Sequence, residues 1–299
     1  MICPVCRSSN IQLYLRGIFD DDNVDVYECK ECELQFLNPI MSILEEENYY
    51  KNYYKTQENR YANQLSLEEI QSRSYSYHKE YIDNYKGFLS NQDLSILEIG
   101  SGSGGFIKLL YDDFNITNIT VVERSNSNIE YIQNQYKEID IYSDLSQVKE
   151  KYDVIVAIAL FEHLREPKEF LNKLYNILNN NGIVILEMPN KREPLIEIYN
   201  VEKFKTFNYQ KQHYFTYSEK NLALLIEKDA QFNIQEFFYP QVYSLDNHLS
   251  WLKFKRIKNY SRFTDLFSPE TLLSYKRDLI EKKVTDVIGV IFKKCDSML

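Results

Sequence analysis

The sequence predicts an α/β protein built on a doubly wound, mostly parallel sheet. Three observations carry that reading. An apolar run, Leu94 to Ile99, stops at the glycine-rich turn 100–105, and a helix-like stretch follows from Phe106 to Leu110. A second apolar run, Ile116 to Val122, ends on an acid, Glu123. Strand-like and helix-like segments then alternate as far as Pro189, the pattern of right-handed βαβ units.

From the N-terminus, the first signal is cysteine spacing. Four of five cysteines form two C-x-x-C pairs, Cys3 with Cys6 and Cys29 with Cys32, 22 residues apart; Cys295 stands alone. Such pairs predict a closed, structural four-cysteine zinc site, with reduced thiols or a redox pair as alternatives. A hairpin loop at Asp20 to Asn23 accounts for the wide gap. Residues 1–40 therefore read as a zinc ribbon, with β-rich segments at Ile11–Leu15 and Val24–Tyr27. So small a core needs a metal staple.

Residues 41–90 read as a helical linker and cap. The acidic run Glu45 to Glu47 leads into Tyr49, Tyr50, Tyr53 and Tyr54, which belong to an amphipathic linker helix or line a substrate cleft. Over 64–90, Leu67, Ile70, Tyr77, Tyr81 and Tyr85 fall at helical spacing.

Residues 91–240 carry the sheet. Strand 94–99 precedes helix 105–113, and strand 118–123 precedes a helix near 126–137 capped by Ser125 or Asn126. A short strand follows at Ile139–Tyr142, then a strand at Tyr152–Ala157 and a helix over 167–179 that stops before Gly182. The strand Ile183–Met188 ends at Pro189. A helix near 218–229 precedes a strand from Asn233 to Tyr239. Residues 241–299 read as a helical insertion, 241–283, and a final strand at Val287–Phe292. In the insertion, Lys253, Lys255, Arg256, Lys258 and Arg262 form a basic run. It reads as a solvated helix face, with a diphosphate or partner patch as the alternative.

The glycine turn holds four of the chain's eight glycines, Gly100, Gly102, Gly104 and Gly105. Positive φ and close backbone approach let a ligand lie against the main chain there, facing the free N–H groups of a helix start. Glu123, at the end of the next strand, is placed to accept hydrogen bonds from two ribose hydroxyls. Together they imply a nucleoside-bearing cofactor at the carboxyl edge of the sheet. The spacing also satisfies G-x-G-x-x-G, which keeps NAD in play.

Composition narrows the classes. An apolar content of 44% supports a real core, and a net charge of −9 argues against a general nucleic-acid binder. No apolar run approaches the roughly 18 residues of a membrane span. The N-terminus has no signal-peptide layout, and the expectation is a cytoplasmic protein with no membrane or nucleic-acid partner.

The ordered set of motifs resembles class I S-adenosylmethionine-dependent methyltransferases. Leu97 to Gly104 resembles their first motif, and Glu123 their ribose-binding acid. Tyr152 to Ala157 with Phe161 to Leu164 resembles their fourth strand and its exit, and Gly182 to Pro189 their fifth. The resemblance covers roughly residues 90–240 and implies a seven-stranded Rossmann-like sheet. It implies a cofactor site of Gly100, Ser101, Gly102, Gly104 and Glu123, with Glu98 near the methionine end and Asp144 toward the adenine; a helix cap is as natural for Asp144.

The N-terminal Cys-Pro-Val-Cys, the second knuckle and the tyrosine-rich helix resemble zinc-ribbon sugar methyltransferases, among them C-methyltransferases of nucleotide-linked deoxysugars. Gln212 to Thr216 resembles their Glu-His-x-x-Phe-Ser/Thr segment, which makes His213 the implied base and His163 a second active-site histidine. Two positions depart: the family's Glu is Gln212 here, and its Tyr is Gln210. C-methylation needs an acid–tyrosine set to stabilise an enolate, whereas O-methylation needs one base. The preferred expectation is therefore O-methylation of a sugar or nucleotide-linked sugar in surface polysaccharide or glycoconjugate synthesis, with C-methylation second. Without the charged neighbour, His213 is expected to titrate near the free imidazole value, about 6.5.

Two other classes compete. An NAD-dependent oxidoreductase predicts a Tyr-x-x-x-Lys pair, and Tyr75/Lys79 and Tyr199/Lys203 match the spacing outside the required places. A non-catalytic binding module would not need intact glycine and acid positions. His78 and His248 read as surface or packing residues.

Overall fold

The computed structural model describes residues 1–50, 65–255 and 263–295. Tyr53 and Tyr54, and Arg256, Lys258 and Arg262 of the basic run, lie outside them.

The ribbon is a meander of β1 (Ile11–Leu15), β2 (Asp25–Cys29) and β3 (Gln35–Asn38), all antiparallel. The sequence did not yield β3. A fourth strand joins from far down the chain. Phe215–Thr216 (β9 in chain order) pairs with β3 through Gln35↔Thr216 and Phe36↔Phe215.

Residues 43–50 are helical, opened by Ser42 and Glu45, which exchange backbone bonds in a capping box. The predicted helix over 64–90 is shorter. Helix α1 (Leu67–Tyr81) has its own capping box at Ser66 and Glu69, then breaks into two 3₁₀ turns, Ile82–Asn84 and Lys86–Leu89. Asp83, Asn84 and Gly87 favour turns over helix, which accounts for the break.

The large sheet has seven strands in the order β10–β11–β8–β7–β4–β5–β6. They are β4 (Ile96–Ile99), β5 (Ile119–Val122), β6 (Asp140–Tyr142), β7 (Tyr152–Ile158), β8 (Leu178–Pro189), β10 (Phe232–Phe238) and β11 (Val287–Lys294). All neighbours from β8 to β6 are parallel, and β11 runs antiparallel to both β8 and β10. Helices α2 (Gly105–Phe114) and α3 (Asn126–Gln135, capped by Ser125) follow β4 and β5; α4 (Pro167–Ile177) precedes β8. Strand β8 starts five residues earlier than Ile183. Its register against β7 shifts between Tyr152 and Val154, so Asn179 to Gly182 are absorbed as an irregularity within the strand rather than ending the helix.

Period-two alternation splits the strands between two cores. Leu97, Ile155, Val184 and Leu186 pack with α4, the knuckle cysteines and Phe215. Ile96, Val121, Val154 and Ile185 pack with Phe106, Leu110 and Ile132. The first core is thus continuous with the ribbon. Gly105 marks another close contact: a Cβ there would meet Ser74 Cβ at 2.3 Å, so glycine lets α1 cross the glycine turn.

Between β10 and β11 lie Leu245–Phe254, a 3₁₀ turn at Phe263–Leu266, and Pro269–Glu281, the expected helical insertion. It leaves and re-enters the sheet at the edge where the parallel strands end. The predicted helix at 218–229 is a short α segment, Glu219–Ala223, continued as a π turn over Leu224–Asp229. No helix among the described residues is long and apolar enough to cross a membrane.

Candidate active site

The cofactor side is assembled within one βαβ unit. Gly100, Gly102 and Gly104 all have positive φ, 80°, 55° and 79°, and the loop they form ends at the start of α2. Gln71 of α1 donates to the carbonyl oxygen of Ser103 at 3.1 Å and so pins the loop from outside. Glu123 is buried and accepts from the N–H of Gly102 at 2.9 Å and of Ser125 at 2.7 Å. Burial raises its pKa, and these backbone N–H groups oppose that rise.

Ser101 Oγ, Ser103 Oγ and Glu98 Oε2 are buried and have no hydrogen-bond partner among the described residues. Burial, with Glu123 nearby, lifts the Glu98 pKa to about 8. Orphaned buried polar atoms around a glycine turn suit a polar ligand lying there, and the amino-acid end of S-adenosylmethionine has the matching donors and acceptors. Asp144 caps the turn Leu145–Gln147, accepting from the Ser146 N–H at 2.8 Å, with Arg124 4.0 Å from its other oxygen. Its carboxyl lies below the usual range because Ser146 hydrogen-bonds the charged form.

A second cluster draws on three distant segments. His163 and Glu162 lie on a 3₁₀ turn, Phe161–His163, just beyond β7. His213 precedes β9, and its ring meets that of His163 edge to face, centroids 4.8 Å apart. From residues 43–50, Tyr50 hydroxyl lies 3.2 Å from His163 Nδ1, and Tyr49 hydroxyl donates to Gln212 Oε1 at 2.9 Å. Arg165 ties these segments together, donating to Glu46 and to the Met41 carbonyl while stacking over Tyr214. Tyr49 and Tyr50 had been singled out; Glu162 had not, although it adjoins His163 in sequence.

One donor atom each of Glu162, His163 and His213 lies within 4.8 Å of the other two. Burial pushes the Glu162 carboxyl up to about 8 and the His163 imidazole down to about 4. His213 lies well below the free value, first through burial and then through the neighbouring His163. The expectation that it titrates near 6.5 is therefore corrected. The charge of residue 212 matters less than removal of the ring from water. A neutral imidazole pair beside a protonated carboxyl can take, hold and pass one proton; the same donor set also suits a divalent cation.

Two buried polar groups lie outside both halves. Tyr77 donates to Glu187, whose carboxyl burial raises to about 7. His248 is buried, with Tyr275 hydroxyl 2.5 Å from Nδ1 and Glu193 3.8 Å from Nε2. The surface alternative for His248, and for His78, gives way to burial: His78, on α1, packs on Phe106 of α2, and His248, on the first insertion helix, packs among Tyr199, Tyr243 and Tyr275.

In the ribbon, Cys3 Sγ lies 3.5 Å from Cys32 Sγ, Cys6 Sγ lies 3.4 Å from Cys29 Sγ, and all four fall within 4.8 Å of one another. Four thiolates about 2.3 Å from one tetrahedral ion stand about 3.8 Å apart, so these cysteines fit such a group. Cys3, hydrogen-bonded by Cys32, is pulled down to about 5, and Cys32 is pushed up.

With this geometry in place, comparison with known proteins defines the class. The family described as "Methyltransferase domain" matches residues 73–236. The chain belongs to that family, and it carries a class I S-adenosylmethionine-dependent methyltransferase domain. Among curated relatives it is similar to malonyl-[acyl-carrier protein] O-methyltransferase of Acetivibrio thermocellus, 27% identical over 100 residues, 32% of this chain and 35% of that one. It is also similar to pavine N-methyltransferase of Thalictrum flavum, 29% identical over 101 residues, 31% of this chain and 28% of that one. The matches span about a third of these relatives' length. Among solved structures, magnesium protoporphyrin IX methyltransferase from Synechocystis shares the fold, with TM-score 0.51, 12% identity, and coverage of 84% of this chain and 100% of that one.

Proposed function

We propose that this protein transfers a methyl group from S-adenosylmethionine to a hydroxyl of a small polyhydroxylated acceptor, a sugar or nucleotide-linked sugar, with His213 as base. The observation that carries the reading is the half-buried His163–His213 pair, kept neutral, with His163 on the turn that follows Leu160, whose side chain packs against Gly100 of the glycine turn. When bound, the cofactor supplies an electrophilic methyl on a sulfonium sulfur. Gly100, Ser101, Gly102, Gly104, Glu98 and Glu123 hold it, with Asp144 toward the adenine. The remaining work is alignment and removal of one proton. The sugar class rests on the resemblance of the cysteine knuckles and of residues 212–216; the named relatives act on other acceptors.

C-methylation of a keto-sugar is the second reading, and one observation favours it. The acid and tyrosine missing at positions 212 and 210 have counterparts from elsewhere, since Glu162 and Tyr50 both face His163. The four cysteines are proposed to hold one structural zinc, whose closed thiolate shell leaves no position for a reacting water.

The test combines isotope-labelled S-adenosylmethionine with pooled nucleotide sugars and polyols, read by mass spectrometry. The expected product is one methyl group heavier on oxygen. Label on carbon selects the second reading, and binding of NAD without response to the sulfonium cofactor overturns both. Elemental analysis is expected to find about one zinc per chain.

A further inference from the structure

The segment that carries His213 forms no helix or strand between the end of Glu202–Asn208 and β9. Much of what fixes it comes from the ribbon. Phe19 N–H donates to the Tyr209 carbonyl at 3.1 Å, and Leu37 N–H to the Tyr214 carbonyl at 3.0 Å. Lys211 N–H donates to Asp20 at 3.1 Å, and Lys211 Nζ pairs with Asp21 at 2.6 Å. Tyr209 hydroxyl, buried, donates to Gln35 Oε1 at 2.5 Å. His213 thus sits between two tyrosines whose backbone carbonyls both bond the ribbon.

Phe19, Asp20 and Asp21 belong to the loop between β1 and β2, whereas Gln35 and Leu37 belong to β3, the strand set by the second cysteine knuckle. Cys29 to Cys32 forms the turn between β2 and β3: Cys29 N–H donates to the Leu34 carbonyl at 2.9 Å, Glu33 N–H to the Cys29 carbonyl at 2.8 Å, and Glu28 pairs with Gln35 across the hairpin. Gln35 Nε2 also donates to Glu28 at 3.1 Å. On its far side β9 is held by the main domain, where Lys191 N–H donates to the Tyr217 carbonyl at 2.8 Å. The order of dependence runs from knuckle to β3, from β3 to β9, and from β9 to His213.

We infer that the four-cysteine ribbon is the positioning element of the acceptor-side base, with Gln35 and Tyr209 as positioning residues that transmit the state of the knuckle to His213. The inference rests on the readings of the cysteines as a metal site and of His213 as base. An appended stabilising module would leave residues 209–217 in place when its ion is lost. A splint would release them.

Hydrogen–deuterium exchange on the full chain separates the two, comparing zinc-loaded protein with protein treated with chelator and reductant. Exchange in peptides covering 25–38 and 209–217 is expected to rise together, about tenfold or more, while 96–122 stays protected and S-adenosylhomocysteine binds as before. Free exchange in 25–38 with 209–217 still protected overturns the inference. Should the chelated chain precipitate, Tyr209→Phe carries the test, since it keeps the ring and removes the hydroxyl's bonds to two ribbon residues, Gln35 and Tyr14. Its kcat is expected to fall about tenfold with cofactor affinity unchanged, and the acid limb of its pH–rate profile to move up toward the free imidazole value as water reaches the ring. A lower melting temperature with kcat and pH profile unmoved overturns it. The exchange readout needs no acceptor, so failure of His213 as base, seen as normal turnover in His213→Ala, is distinguished from failure of the splint.

Discussion

Glu123 meets its partners Gly102 and Ser125 within a span of 24 residues, whereas Tyr50 reaches His163 across 113 positions and Tyr49 reaches Gln212 across 163. The proposed cofactor half of the site is a local construction of strand, turn, helix and next strand. The proposed acceptor half is a junction of the ribbon, the helix at 43–50, the turn after β7 and the segment before β9. A local site survives wherever its βαβ unit folds. A junction site depends on every segment that meets there, so loss of one contact propagates to the histidines. Perturbing the two halves should therefore give separable results.

The largest expected effect is on the acceptor side. His213→Ala should slow methyl transfer by roughly 10²–10⁴-fold, the usual contribution of a general base, with S-adenosylhomocysteine affinity unchanged by calorimetry. Because burial holds the imidazole well below its free value, wild-type turnover should stay flat from pH 8 down through about 6.5 and fall only in more acid solution. A midpoint near 6.5 would mean that the ring is hydrated during turnover, or that another group is the base.

On the cofactor side, Glu123→Ala should weaken cofactor binding by roughly 1–3 kcal/mol, the worth of charge-assisted hydrogen bonds, while leaving the titration of His213 where it was. Coupled changes in both quantities would break the proposed independence of the halves.

How much was legible follows the same division. The glycine turn, Glu123 and the order of strands could be read because each signal lies in a continuous stretch whose periodicity and punctuation are local. The knuckles were readable because metal geometry demands close spacing. His163 and His213 were reachable only through a family resemblance, since nothing in either neighbourhood states that the rings touch. Strand β3 escaped because four residues next to a proline carry too little alternation to mark a strand, and its partner β9 is only two residues long. The titration of His213 was misjudged for a related reason. Burial is a property of the junction, and a sequence displays neighbours along the chain rather than the water excluded from it.

A smaller effect concerns stability. In Glu98 and Glu162 the folded-state pKa, about 8, lies above the ordinary carboxyl value of 4.5. Between those limits the unfolded chain has released protons that the native chain still holds, so each group lowers stability as pH rises. His78, His163 and His248, depressed to about 4 from 6.5, act in the opposite sense below 6.5. Above 6.5 these carboxyls, joined by Glu193, also raised to about 8, are opposed only in part by Cys3, lowered to about 5 from 9, and ligand-free protein should lose stability from pH 6.5 to 8, each group shifting it by up to about 1.4 kcal/mol per unit. Urea titrations at the two pH values measure the slope, and Glu162→Gln should reduce it.

The smallest expected effect decides what Asp144 does. Its carboxylate already caps the turn at Leu145, with the Ser146 N–H on Oδ1. Oδ2 faces Arg124 at 4.0 Å, and half the side chain is exposed, which leaves that oxygen able to accept from an adenine amino group. Asp144→Ala removes the cap and should cost about 0.5–2 kcal/mol of stability, read as a fall in melting temperature. Asp144→Asn restores a side-chain oxygen that caps equally well but carries no charge. If Asp144 only caps, the asparagine variant recovers both stability and cofactor affinity. If it also contacts the adenine, that variant recovers stability alone and binds S-adenosylhomocysteine about 3- to 10-fold more weakly, roughly the difference between a hydrogen bond to a charged and to a neutral acceptor. Full recovery of both would leave the proposed cofactor half of the site resting on the glycine turn and Glu123.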